Sequence, residues 1–161
     1  MHEEIIQTKY IVCQYEELDA EMQKLVDAAK EMTRNSYSPY SHFAVGAAIL
    51  MADGEVFTGS NQENAAYPSG LCAERTAAFY AAAQRPNTAM KAIALATFSK
   101  GEFLDESAAP CAACRQVLLE YEHKFHQPLK VILYGKKQTY IFDSVSSLVP
   151  FTFTDDDLRG K

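Results

Sequence analysis

Between residues 16 and 35 the apolar side chains recur three and four positions apart. Leu18, Met22, Leu25, Val26, Ala29 and Met32 form one stripe with acids and lysines between them, and this spacing predicts an amphipathic helix. The pattern changes at residue 43. There "FAVGAAILMADGEVFTGSN", residues 43–61, reads as two strands joined at Asp53-Gly54, a dipeptide suited to a tight hairpin turn. Alanine-rich "CAERTAAFYAAAQR" (72–85) predicts a helix. It is followed by a strand in "KAIALATFS" (91–99), a helix in "CAACRQVLLEYEHKF" (111–125) and a strand in "LKVILYG" (129–135). "DSVSSLV" (143–149) predicts a short helix that Pro150 ends. Near the start, "EIIQTKYIVCQY" (4–15) mixes β-branched and aromatic residues and predicts a strand or extended arm. The stretches 36–43 and 61–70 are rich in Ser, Pro, Asn and Gly and read as loops.

The order is therefore helix, hairpin, helix, strand, helix, strand. A strand–helix–strand unit implies a parallel pair with a crossover helix. The expected class is α/β, a mixed sheet with helices on both faces. The length of 161 residues suits one domain, 1–161, with a sizeable core.

Charge narrows the partners. The chain carries 21 acids against 15 Lys and Arg, a net charge of -6, and its basic residues are not clustered. Polynucleotide binding draws on basic patches, so no nucleic-acid polymer is expected, and a small molecule is the better candidate. No apolar run is long enough to span a bilayer, so no membrane partner is expected. The first ten residues hold two acids where a secretory signal would carry a basic segment. The expected location is the cytoplasm.

Four cysteines remain to be explained: Cys13, Cys72, Cys111 and Cys114. In a cytoplasmic chain of this size, metal binding or catalysis is favoured over disulfides. Cys111 and Cys114 are three apart at a helix start and share a face. Alone, such a C-x-x-C is a redox pair or half of a zinc knuckle. Cys72 opens the other helix, and helix N-termini favour thiolates. Three thiols with an open fourth position describe a catalytic zinc site. A structural knuckle using Cys13 as fourth ligand leaves Glu74 unexplained. Positions two apart do not face each other on a helix, so Cys72 and Glu74 reach one ion only if Cys72 sits at or before the N-cap. Glu74 is then placed to move the proton of a bound water. Arg75 and Arg115 each closely follow a cysteine, where a guanidinium would offset the thiolate charge and orient a sulfur.

C-A-E followed by P-C-A-A-C matches the general signature of zinc nucleoside deaminases. With "YSPYSHFAVGAAIL", "GSNQENAAYPSGLCAERTA", "APCAACRQVLLE" and "LVPFTFTDDDL", residues 36–158 resemble the cytidine deaminases of the short, three-cysteine, homotetrameric form. The resemblance implies a three-layer sandwich around a mixed five-stranded sheet, and one Zn2+ per subunit on Cys72, Cys111 and Cys114. It implies Glu74 as proton shuttle, Phe43 against the pyrimidine, and Asn61 and Glu63 on the ribose hydroxyls. The Ala73 backbone would help read the base. Phe153 would reach a neighbouring subunit's site, and Tyr67 would lie near subunit contacts. The implied reaction is hydrolytic deamination of cytidine and deoxycytidine at C4, in pyrimidine salvage. A blasticidin-type deaminase is a rival that lacks the "NQEN" and "CAER" combination. A non-catalytic zinc module and a polynucleotide deaminase are others. The chain departs from the pattern at Ala112, where Gly is usual, at Ser107-Ala109, and in an N-terminal extension over 1–15. That extension adds either an edge strand or an inter-subunit arm.

Overall fold

The structure, a computed structural model, describes residues 1–160. Its strands are β1 (Ile11–Cys13), β2 (Phe43–Met51), β3 (Val56–Ser60), β4 (Met90–Ser99), β5 (Glu102–Phe103), β6 (Lys130–Leu133) and β7 (Thr139–Phe142). Its helices are α1 (Ala20–Met32), α2 (Ala73–Gln84), α3 (Ala112–Phe125) and the short α4 (Asp155–Arg159). The strand order is β1-β7-β6-β4-β2-β3, with β5 paired to the end of β4. Among the described strands, β4 and β6 run parallel, with α3 crossing between them, and the other strand pairings are antiparallel.

The sheet therefore has seven strands, not five. Residues 139–142 carried no strand assignment in sequence, since four residues beside a lysine pair show little periodicity. They become β7 by pairing with β6 through Val131–Phe142 and its neighbours. The N-terminal extension supplies β1, an edge strand on β7. There Tyr10 stacks on Phe142 at 5.3 Å between ring centroids.

Side chains alternate across a strand, and β4 divides the core accordingly. Ile93 and Leu95 join Ala77, Ala81, Leu118 and Val131 under α2 and α3. Ala92, Ala94 and Ala96 turn to the opposite face, against Leu25, Val26 and Ala29 of α1. The small residues on that face let α1 lie close. A Cβ on Gly46 would stand 2.0 Å from the Ala29 carbonyl oxygen. Asp19 caps α1 by accepting from the Met22 amide at 2.8 Å, worth about 1 kcal/mol. The Asp53-Gly54 hairpin forms as its residues dictate, with Gly54 at φ 89°.

Residues 143–149 form a 3-10 turn over Val145–Leu148. Glu122 of α3 fastens it: its carboxylate accepts from the amides of Leu129, Val145 and Ser146 and from the Ser144 hydroxyl.

Candidate active site

Helices α2 and α3 pack on the same face of the sheet, and both begin with a cysteine. Cys72 is the N-cap of α2, with extended backbone at φ -71° and ψ 155°. Cys111 is the N-cap of α3, at φ -65° and ψ 164°. Cys114 lies one turn further in and is buried. The three sulfurs lie within 4.8 Å of one another, and all are free thiols. Cys13 is elsewhere, on the edge strand β1, with its sulfur donating to the Thr139 carbonyl at 3.8 Å. It supplies no fourth ligand.

Three soft donors at two helix N-termini, facing a cleft on their open side, fit zinc with an exchangeable fourth position. The electrostatics favour the thiolate at Cys72. Cys72 is drawn down to about 5, chiefly by the hydrogen bond from Cys114 and then by Arg75. Cys114, the partner holding that proton, is pushed up by the same bond and by burial.

Glu74 is the second residue of α2 and is 5% exposed. Burial raises its carboxyl above the ordinary value, and the Cys72 charge adds to this. With Cys72 outside the helical backbone, thiol and carboxylate both reach the lining of one cleft.

That cleft has a volume of about 520 Å³. Phe43 and Val45 of β2 and Leu95 and Thr97 of β4 form its sheet side, and Asn61 and Glu63 come from the loop after β3. Cys72, Ala73 and Glu74 enter from α2, and Cys111 from α3. Ala73 is the first residue of α2, so its amide has no partner within the helix. A larger hollow of about 630 Å³ lies beside α1 and Phe103. It gathers no thiol and no buried carboxylate, so its size alone does not make it the site.

The side chain of Asn61 is heavily engaged. Its Oδ1 accepts from the Val45 amide at 2.8 Å and the Ser36 hydroxyl at 2.6 Å, and its Nδ2 donates to the Phe43 carbonyl at 2.9 Å. Glu63 Oε2 accepts from the amides of Tyr40 and Ser41 at 3.0 and 3.2 Å. Hydrogen bonds from the Ser41 side chain and these amides hold its carboxyl below the usual value.

The two arginines part company. Arg75 donates from a terminal guanidinium nitrogen to Cys72 Sγ at 3.7 Å. Arg115 does not turn to a sulfur. Its Nε donates to the Pro110 carbonyl at 2.8 Å and a terminal nitrogen to the Leu148 carbonyl at 3.1 Å. It braces the loop that delivers Cys111, a correction to the sulfur contact expected from its spacing. Phe153 is outside this chain's own cleft. It is 56% exposed, and its carbonyl accepts from Gln116 Nε2 at 2.9 Å. Tyr67 is exposed and meets Tyr40 edge-on at 6.0 Å. Ala112 is exposed at the start of α3, so its methyl group turns to solvent and not into the buried Cys114. Sequence reasoning missed Thr97, although strand alternation from Leu95 places it on the same face.

A buried carboxylate beside a three-thiol cluster, on an α/β sheet with helices on both faces, defines a zinc-dependent hydrolytic site. The model of the cytidine and deoxycytidylate deaminase zinc-binding region matches residues 19–126, and the chain belongs to that family. It is 41% identical over 138 residues to a cytidine deaminase of Halalkalibacterium halodurans, covering 85% of this chain and 97% of the relative. It is 35% identical over 141 residues to a probable cytidine deaminase of Dictyostelium discoideum, covering 88% and 89%. The crystal structure of cytidine deaminase from Burkholderia pseudomallei superposes with a TM-score of 0.68 at 39% identity, covering 81% of this chain and 97% of that one. That of the Mycobacterium tuberculosis enzyme gives 0.65 at 33%, covering 84% and 98%.

Proposed function

We infer that the chain is a zinc-dependent hydrolase that deaminates cytidine and deoxycytidine to uridine and deoxyuridine, releasing ammonia, in pyrimidine salvage. The observation that carries this reading is Glu74, a carboxylate 5% exposed in a cleft wall it shares with two of the three thiols.

Cys72, Cys111 and Cys114 hold the zinc, one per subunit. Bound zinc supplies Lewis acidity, which makes water a nucleophile at neutral pH. Glu74 takes the proton that water gives up and passes it to N3 of the base, then takes the remaining proton of the oxygen added at C4 and hands it to the departing amine. A carboxyl raised by burial is suited to both acceptance and release. Phe43 lies against the pyrimidine, and the Ala73 amide helps recognise it. Asn61 Nδ2 has spent one of its two N–H donors on Phe43 and offers the second to a ribose hydroxyl. Glu63, already ordered by two amides, accepts from the other hydroxyl.

We place residues 1–161 in one such domain, working in the cytoplasm as a homotetramer without a nucleic-acid polymer as partner. Phe153, exposed and close to α3, is the residue we assign to a neighbouring subunit's cleft. The exposed Phe79, Tyr80 and Phe151 support association. Among the described residues no helix is long and apolar enough to cross a membrane.

The test is ammonia release from cytidine by zinc-loaded protein beside Glu74→Gln. Turnover that falls by at least about a thousandfold in the variant, with zinc still bound, is the expected result. A folded, zinc-replete wild type without turnover overturns the reading.

A further inference from the structure

We propose that Thr97 is a substrate-binding residue of this cleft, its hydroxyl hydrogen-bonding the exocyclic amine of a bound 4-aminopyrimidine nucleoside. The inference rests on the function proposed above and adds a contact to it. Thr97 sits on β4 opposite Val45 of β2, in the sheet wall of the cleft. It is 1% exposed, and its Oγ1 is buried without a hydrogen-bond partner. Buried hydroxyls almost always have partners, and an orphan calls for an explanation such as a ligand.

Its neighbours do not provide one. Phe43, Val45 and Leu95 are apolar. The other hydroxyl in the lining, Ser41 Oγ, accepts from the Phe43 amide at 3.1 Å. Among the polar groups of the base, N3 faces Glu74, the Ala73 amide serves recognition, and the ribose goes to Asn61 and Glu63. The amine meets Glu74 only as it departs, so in the bound substrate it is the polar substituent without a partner. A threonine hydroxyl accepts from an amine and donates to the carbonyl that replaces it, so one side chain serves both substrate and product. The contact requires the χ1 rotamer that presents Oγ1 to the cleft, and no hydrogen bond holds the hydroxyl in any other.

The experiment compares zinc-loaded wild type, Thr97→Val and Thr97→Ser. It reads kcat/KM for cytidine, the inhibition constant of the pyrimidin-2-one ribonucleoside that lacks the amine, zinc content and Tm. Thr97→Val is expected to lose about tenfold in kcat/KM, equivalent to about 1.4 kcal/mol, with zinc retained, Tm not lowered and the amine-free nucleoside bound as by wild type. Thr97→Ser is expected to stay within about twofold of wild type, since it keeps the hydroxyl. If Thr97→Val does not fold, Thr97→Ala makes the same comparison. An active wild type with an equally active valine variant overturns the Thr97 assignment alone. So does an equal loss against both nucleosides, which marks a packing role. A zinc-loaded wild type inactive on cytidine overturns the functional reading and this contact with it.

Discussion

Arg75 donates to Cys72 Sγ across 3.7 Å, one helical turn from the sulfur it touches. The contact sits where the site has too much negative charge. Three thiolates on one divalent zinc leave about one net negative charge, which opposes ionisation of a water bound there. Arg75→Gln is expected to move the acidic limb of the kcat/KM profile upward by about one pH unit, with zinc content unchanged. A superimposable pH profile would show that the guanidinium only packs.

Metal and fold are coupled through the same residues. The thiols join two helix starts from different parts of the chain, so chelation releases a link between α2 and α3. Stripping zinc is expected to abolish turnover and lower Tm by several degrees, as for any ligand that binds only the native state. Adding zinc back should restore both. A Tm indifferent to chelation would place the metal outside the stability of the domain.

As the proposed ribose contact, Glu63 would set an acid limit on binding. Its carboxyl lies below the ordinary 4.5 because Ser41 and the Tyr40 and Ser41 amides bond its charged form. A group depressed in the folded state contributes fully above its unfolded value and loses that contribution as pH falls through the folded value. The part of KM for cytidine that Glu63 sets should therefore hold on acidification to about pH 4.5 and rise only below it. Glu63→Gln should raise KM at neutral pH and remove that rise. Titration of KM from pH 7 downward, with refolding controls, checks both.

Glu122 supports the site from a distance. One carboxylate gathers Leu129, Ser144, Val145 and Ser146, and Leu148 in that turn receives Arg115. Glu122→Ala leaves three amides without this acceptor and should cost about 2–3 kcal/mol, the scale for hydrogen bonds to a charged group. Urea unfolding measures it, and a change under about 0.5 kcal/mol would mean that solvent replaces these bonds.

Features with a local cause could be read from sequence. The α1 stripe follows from helical spacing and the hairpin from Asp53-Gly54. The two-residue offset of Cys72 and Glu74 required a non-helical cysteine, and Cys72 stands in the N-cap. What escaped depends on distant partners. Residues 139–142 become β7 only because β6 and β1 lie on either side. Spacing placed Arg115 near the metal end of α3, but two carbonyls, one 33 residues away, decide where its guanidinium points. Thr97 looked like an ordinary strand residue, and only three dimensions reveal that nothing meets its hydroxyl.

The edge pairing of β1 with β7 has a consequence for the order in which the protein is built. Cys13 and Thr139, partners in the sheet, are 126 positions apart. On a growing polypeptide the first strand emerges long before its complement exists. Tyr10, Ile11 and Val12, about half uncovered even in the finished fold, stay without a dock until residue 142 has been added. Contacts so distant in sequence close late, and uncovered apolar strands are exposed to association with other chains in the interval. Strand β1 is thus made well before β7 yet secured only with it, and the nascent chain is vulnerable there in the interval.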